Sequence, residues 1–204
     1  MMRQPNMWDE RYGHEGHVFG TEPNDFLRDS IEQMQPGTVC CIGDGEGRNG
    51  VFLAKSGFRV TSVDLSSVGL AKAAEFAKSK DVALHTIVAD LGEWVKTADA
   101  AGPWNNVVSI FCHMPSAVRA AVYPRLIASM QPGGVFLLEA YTPAQIGRAT
   151  GGPSDPDLLL TAGQLEVELA GLNFEHLTEL EREVVEGHLH TGSAAVVQCI
   201  ARKP

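Results

Sequence analysis

The stretch from Thr38 to Gly50, Thr-Val-Cys-Cys-Ile-Gly-Asp-Gly-Glu-Gly-Arg-Asn-Gly, constrains the fold more than any other part of the chain. Val39, Cys40, Cys41 and Ile42 run without polar interruption, as expected of a strand covered on both faces of a parallel sheet. Gly43, Gly45, Gly47 and Gly50 then alternate with polar residues until Val51-Phe52-Leu53-Ala54 opens a helix. A strand-to-helix turn of this kind offers bare backbone to a ligand. Glycine has no Cβ and accepts positive φ, and the first turn of the helix leaves N–H groups unpaired.

Composition limits what can surround that turn. With 204 residues, 44% hydrophobic and 20% charged, the chain is long enough for one well-cored domain over 1–204 and short for two. No apolar run spans a bilayer, and Met1-Met2-Arg3-Gln4-Pro5 lacks the core of a signal peptide, which places the chain in the cytoplasm. Cys40, Cys41, Cys112 and Cys199 all fall in expected strands and form no C-x-x-C, so they read as small buried hydrophobes. His14 and His17 lack companion ligands, and no metal is expected. A net charge of −9 with no Lys/Arg cluster argues against nucleic acid as a substrate.

Taken in order, 1–37 reads as an N-terminal arm. Trp8 to Asn24 is irregular, and a short helix over Phe26 to Met34 follows it, capped by Asn24 or Asp25. After the glycine turn, a helix from Arg48 to Ser56 leads to a second strand, Arg59 to Asp64. A carboxylate at the C-terminal end of such a strand can accept both hydroxyl protons of a ribose, and Ser66 remains to cap the next helix, Ser67 to Lys80. A third strand, Ala83 to Ala89, again ends in an acid, Asp90. The fourth, Asn105 to His113, lies beside the first if the strand order reverses there. His113 is then the best-placed titratable group in the chain. A helix from Ser116 to Met130, which Pro124 should kink or split, precedes a fifth strand, Val135 to Glu139. Gly- and Pro-rich 141–160 reads as a lid loop, and Thr161-Ala162-Gly163-Gln164 as a capping box. Phe174 to Val185 and Ser193 to Ala201 pair as a hairpin. The sum is an α/β, doubly wound, mostly parallel seven-stranded sheet ending in an antiparallel hairpin.

Two cofactor registers fit the glycines. Gly45-Glu46-Gly47-Arg48-Asn49-Gly50 is G-x-G-x-x-G, the dinucleotide fingerprint, and Asp64 follows at a suitable distance. Gly43-Asp44-Gly45-Glu46-Gly47 is G-x-G-x-G, which resembles motif I of class I S-adenosylmethionine-dependent methyltransferases. The hairpin and the long arm favour the second register, and no Tyr-x-x-x-Lys pair supports the first. Trp8-Asp9-Glu10-Arg11-Tyr12, Val18-Phe19-Gly20-Thr21-Glu22-Pro23-Asn24, Gly45-Glu46-Gly47-Arg48-Asn49, Val63-Asp64, Gln131-Pro132-Gly133-Gly134 and Gly151-Gly152-Pro153 together resemble bacterial small-molecule methyltransferases of the tellurite-resistance type, and more distantly the thiopurine methyltransferases. The resemblance implies a Rossmann-like class I fold, S-adenosylmethionine as cofactor and a small-molecule acceptor. It implies cofactor contacts from Gly43, Asp44, Gly45, Gly47, Arg48, Asn49, Asp64, Leu65, Asp90, Leu91 and Cys112. One departure stands out. The family places an acid two residues before its first motif I glycine, where this chain has Cys41, so the anchoring role passes to Asp44, to water or to backbone carbonyls.

The chemistry asks little of the protein, because methyl transfer is an in-line displacement and alignment supplies much of its rate. A soft acceptor such as a thiolate or a chalcogen oxyanion needs no strong base. An oxygen or nitrogen acceptor would call on His113 or Tyr12 for proton removal. Trp8, Arg11, Tyr141 and Arg148 are the candidate acceptor contacts, with Arg11, Arg119 and Arg148 able to attract an anion. Two other classes stay open at this point, a nicotinamide-dependent oxidoreductase and a non-catalytic cofactor-binding protein.

Overall fold

The computed structural model describes residues 6–187 and 189–204. Residues 1–5, where the lack of a signal-peptide core was read, lie outside the described residues. Seven strands form one sheet: β1 (Thr38–Ile42), β2 (Arg59–Asp64), β3 (His85–Val88), β4 (Trp104–Ile110), β5 (Met130–Tyr141), β6 (Asn173–Glu186) and β7 (His190–Arg202), in the order β3-β2-β1-β4-β5-β7-β6. The first five are parallel, and β7 inserts antiparallel between β5 and its hairpin partner β6. The order reverses between β1 and β4. That is where the C-terminal ends of the strands open a crevice.

Alternation along the strands divides the core into two layers. Cys40, Ile42, Val107, Phe136 and Leu138 pack on one face, and Val39, Cys41, Val108, Val135 and Leu137 on the other. Burial on both faces is why β1 and β4 read as unbroken apolar runs. Three cysteines lie in β1 and β7 as expected, but Cys112 lies two residues beyond β4, which ends at Ile110.

The helices carry both agreements and corrections. Ser66 caps α4 (Ser67–Ser79) through Gly69 N, and the Thr161/Gln164 capping box opens α7 (Ala162–Glu168). The arm is not wholly irregular: α1 (Met7–Tyr12) forms because Asn6 and Asp9 make a reciprocal capping box. The helix read over Phe26 to Met34 divides into α2 (Asp25–Asp29) and a 3-10 turn, Ile31–Gln33, joined at Ser30. Pro124 does not split α6 (Ser116–Ser129). Both Pro124 and Ala120, whose carbonyl loses its helical donor, are exposed, so solvent can satisfy that carbonyl. The remaining helices are α3 (Arg48–Lys55) and the single turn α5 (Leu91–Trp94).

The loop after β5 is tied down at both ends. Tyr141 belongs to the strand and is fully buried, and its carbonyl accepts Leu160 N. Gln145, also buried, donates to Thr150 Oγ1 and Gly151 O and accepts Ala195 N.

Candidate functional site

At the switch point, Gly43, Gly45 and Gly47 hold φ of +64°, +55° and +83°, a left-handed path that side chains with Cβ rarely follow. The same glycines meet protein. A Cβ on Gly43 would fall 2.5 Å from Cys112 Sγ, on Gly45 2.4 Å from Tyr12 Oη, and on Gly47 2.5 Å from Ala73 Cβ. Asp64 closes the turn from the next strand: Oδ2 accepts Gly45 N at 2.9 Å and Oδ1 accepts Ser66 N at 2.7 Å. Burial outweighs those two bonds and lifts its carboxyl to about 6.

Asp44 points inward rather than at the crevice. Its carboxylate accepts Ser62 Oγ, Gly50 N and Cys41 Sγ, the last at 3.3 Å, and burial shifts it upward. The acid missing at Cys41 is thus restored three residues later, with the side chain turned back onto Cys41. Arg48 and Asn49, read as cofactor contacts, turn elsewhere too. Arg48 Nη2 pairs with Glu186 Oε2 at 2.6 Å, and Asn49 Oδ1 accepts Asn24 N at 2.9 Å. Asp90 is exposed and caps α5 through Glu93 N, with Leu91 half-buried behind it.

The arm roofs the turn. Tyr12 lies over Gly45 with Trp8 stacked on it, ring centroids 5.7 Å apart, and the Arg11 guanidinium covers Trp8 at 4.8 Å. Asp9 accepts Ser66 Oγ, Asn6 donates to Leu65 O, and Glu46 accepts Val18 N. Lys72 draws the arm down with bonds to His14 O, Gly16 O and Glu46 at 2.7, 2.6 and 2.9 Å. Burial first, then the nearby Asp64 and Glu46 charges, push the Tyr12 phenol far above its ordinary range, so it holds its proton.

Opposite the turn, the C-terminal ends of β4 and β5 meet the hairpin in an aromatic cluster. Tyr141 stacks on Phe111 at 4.6 Å and on His113 at 5.7 Å, and His190 lies against Phe19, Phe111 and Tyr141 at 4.5, 5.1 and 5.3 Å. Beneath it Glu139, fully buried, accepts from Arg182, Asn24 and Gln198, while Glu186 accepts from Arg48 and Asn24. Both ring nitrogens of His113, Tyr141 Oη, His190 Nδ1 and Arg48 Nη1 are buried without a hydrogen-bond partner. Buried polar atoms are paired with few exceptions, so these unpartnered atoms call for an explanation.

Comparison with known proteins bears on this arrangement. Residues 39–134 match a family model described as a methyltransferase domain. Just under half of the chain is thus similar to a methyltransferase domain. Domains of this class take their methyl group from S-adenosylmethionine. TehB from Haemophilus influenzae is similar in structure, with a TM-score of 0.73 at 16% identity over 97% of this chain and 66% of that one. A structure reported for the conversion of a disulfide bond into a thioacetal group during echinomycin biosynthesis has a TM-score of 0.71 at 20% identity, covering 96% of this chain and 91% of that one. The N-methyltransferase NodS from Bradyrhizobium japonicum, in complex with S-adenosyl-L-homocysteine, has a TM-score of 0.66 at 15% identity, covering 98% and 89%. In sequence, 131 residues are 28% identical to Hemagglutinin 1 of Eikenella corrodens, over 62% of this chain and 41% of that protein. The chain thus spans less than two thirds of the Eikenella protein and of the TehB chain.

The donors and acceptors at the turn are of the kind that S-adenosylmethionine would need. Each Asp64 oxygen uses one lone pair on backbone N–H and has another that a ribose hydroxyl could use, and the α3 N-terminus and the glycine backbone lie beside it. Among the candidate acceptor residues, Trp8, Arg11 and Tyr141 border the roof and the aromatic cluster. Arg148 instead pairs with Glu181 on β6, and Arg119, 1% exposed, ties Met114 O and Asp157 O to Glu168. His113 lies beyond β4. Burial first, then His190 and Arg11, drive it down to about 3, which makes it a weak proton acceptor near neutrality. Sequence reasoning missed Glu186 and His190. Only their four-residue separation across a turn could have signalled that they are cross-strand partners.

Proposed function

We propose that this chain transfers the methyl group of S-adenosylmethionine to a small-molecule acceptor that is a soft nucleophile, a thiol or a chalcogen oxyanion. The observation that carries the reading is the pairing of a glycine turn closed by Asp64 with an enclosed aromatic cluster bearing unpartnered polar atoms. Gly43, Gly45, Gly47 and the α3 N-terminus would hold the cofactor's methionine end, Asp64 its ribose, and Leu65 and Leu91 the adenine. The cofactor supplies an electrophilic methyl carbon. The protein's part is to align the acceptor and to exclude water. The charges around the cluster are largely spent on each other, Arg48 with Glu186 and Arg182 with Glu139. A polarisable acceptor that needs no strong counter-charge suits such a place. The resemblance to the tellurite-resistance type, with TehB and the thioacetal-forming structure among the similar folds, supports the soft-nucleophile class. The four free cysteines suit a reducing compartment, the cytoplasm.

Calorimetry with S-adenosylmethionine, S-adenosylhomocysteine and NAD tests the cofactor. Both adenosyl compounds should bind, and NAD binding alone would refute the assignment. Methyl-labelled S-adenosylmethionine offered with small thiols, selenite or tellurite tests the acceptor, label appearing in volatile or thioether products. Label appearing instead on an amine or alcohol panel would move the acceptor class.

A further inference from the structure

Glu186 ends β6 and His190 begins β7, and the two are cross-strand partners closing the hairpin. Their side chains share a face, with His190 Nδ1 3.8 Å from Glu186 Oε2. Glu186 has little freedom, since Oε2 also accepts Arg48 Nη2 at 2.6 Å, Oε1 accepts Asn24 Nδ2 at 2.8 Å, and Arg182 lies 3.7 Å from Oε1. A carboxylate 3.8 Å from one imidazole nitrogen, outside direct hydrogen-bond reach, favours by its charge the tautomer with the proton on that nitrogen and leaves the other nitrogen as the acceptor. The rings of Phe19, Phe111 and Tyr141 surround the imidazole. Phe111 precedes Cys112, whose sulfur packs on Gly43, and Phe19 leads through an edge contact of 6.2 Å to Tyr12 over Gly45. His190 is therefore joined to the glycine turn by Phe111 and Cys112 on one side and by two rings, Phe19 and Tyr12, on the other.

We infer that His190 is the general base of this enzyme for acceptors that arrive protonated, with Glu186 as its positioning residue. The inference rests on the methyl-transfer reading above. The acceptor's X–H bond breaks and its proton passes to His190 Nε2. The electron pair left on X forms the bond to the methyl carbon as the carbon–sulfur bond breaks with its pair retained on sulfur, which ends neutral. The imidazolium formed faces the Glu186 carboxylate and later returns its proton to water. The charged and titratable groups around His190 are Glu186 from β6, Arg48 from α3, Arg11 from α1, His113 beyond β4 and the Tyr141 phenol from β5. Burial lowers His190 and Glu186 opposes that shift, while the nearby His190 and the bonds from Arg48 and Asn24 hold Glu186 down to about 2 against its own burial. His113, without a carboxylate partner, is the poorer base of the two.

The test combines titration with turnover on the full chain. Long-range proton–nitrogen NMR on histidine-labelled protein should show His190 carrying its proton on Nδ1 and titrating well above His113. Glu186→Gln should lower the His190 midpoint by about 1–3 pH units. If that variant does not fold, diethyl pyrocarbonate on wild type replaces it, and His190 should react while His113 stays protected. His190→Gln should keep S-adenosylhomocysteine affinity within about threefold while losing about a hundredfold or more in kcat on 2-mercaptoethanol, a protonated thiol. It should lose far less on 4-nitrothiophenol, which is ionised at the assay pH. Equal losses on both thiols, a His190 midpoint unmoved by Glu186→Gln, or a His190 inert to the reagent would overturn the assignment. A wild-type chain that binds no adenosyl compound would instead sink the methyl-transfer reading, and the NMR would still judge the Glu186–His190 pair.

Discussion

At the glycine turn the groups available to a ligand are mostly backbone, placed by residues that are neighbours in sequence. At the hairpin end of the same crevice they are side chains brought together from the arm, α3, the segment beyond β4, β5, β6 and β7. Asp64 reaches Gly45 across 19 positions, whereas Glu186 reaches Arg48 across 138 and Asn24 across 162. The first kind of site tolerates changes in surrounding side chains but not in its glycines. The second depends on each charge finding its partner in a place with little water to replace it. A cofactor shared by many enzymes suits the first construction, and an acceptor peculiar to one enzyme suits the second.

Breaking the hairpin network should have the largest effect on stability. Glu139→Ala leaves Arg182, Asn24 and Gln198 without their shared acceptor at a fully buried position, and removing one partner of such a pair costs about 3–5 kcal/mol. Denaturant unfolding should show the midpoint fall with the slope m retained. A loss under about 1 kcal/mol would mean that water reaches the network.

Gly45→Val should act on the other region. A branched side chain at φ +55° beneath Tyr12 costs about 1–3 kcal/mol in backbone strain and displaces the roof. Calorimetry on the folded variant should find no measurable S-adenosylmethionine binding; normal binding would show that the cofactor does not use this turn.

Asp64→Ala sharpens the comparison because it removes the side chain that closes the backbone site at Gly45. Losing two charge-assisted bonds should weaken cofactor binding about tenfold to a thousandfold, with circular dichroism unchanged. The pH dependence has a definite sign. The ribose hydroxyls donate to the ionised carboxylate, and the ligand-free carboxyl titrates at about 6, so affinity should be full above that pH and decline below it. Binding that is flat between pH 5 and pH 8, a window of about 1–2 units on either side of that value, would remove Asp64 from the ribose. The smallest effect belongs to Asp90→Ala, because that carboxylate is exposed and already caps α5. A change of a few-fold in affinity is expected, and one as large as that of Asp64→Ala would reverse the ranking of the two acids.

The sequence was readable where the physics is local. The bounds of β2, the Ser66 cap, the Thr161 capping box, the reversal of strand order and the hairpin all follow from periodicity and turn chemistry. For Arg48 and Asn49, motif position gives where the backbone lies, not which way a side chain turns. Arg48 found a carboxylate that only the folded hairpin delivers. Cys112 and His113 fell outside their expected strand because the apolar run continues past the last ladder bond, into Phe111 at φ +48°. The Asn6/Asp9 capping box was local and legible, and it was hidden by aromatic residues that suggested irregular chain.

The way the arm is fastened sets a clock for ligand exchange at the turn. With Tyr12 seated on Gly45, Asp9 bonded to Ser66, and Lys72 gripping two arm carbonyls and Glu46, a nucleoside cannot reach the turn by simple collision. Those contacts must part before it enters and re-form before it reacts. Association then follows the lifetime of the roof rather than diffusion, below the usual range of about 10⁵–10⁷ M⁻¹s⁻¹ for unobstructed docking. Departure of the spent cofactor meets the same obstacle. On the methyl-transfer reading, turnover at saturating acceptor would be bounded by how often residues 6–20 let go.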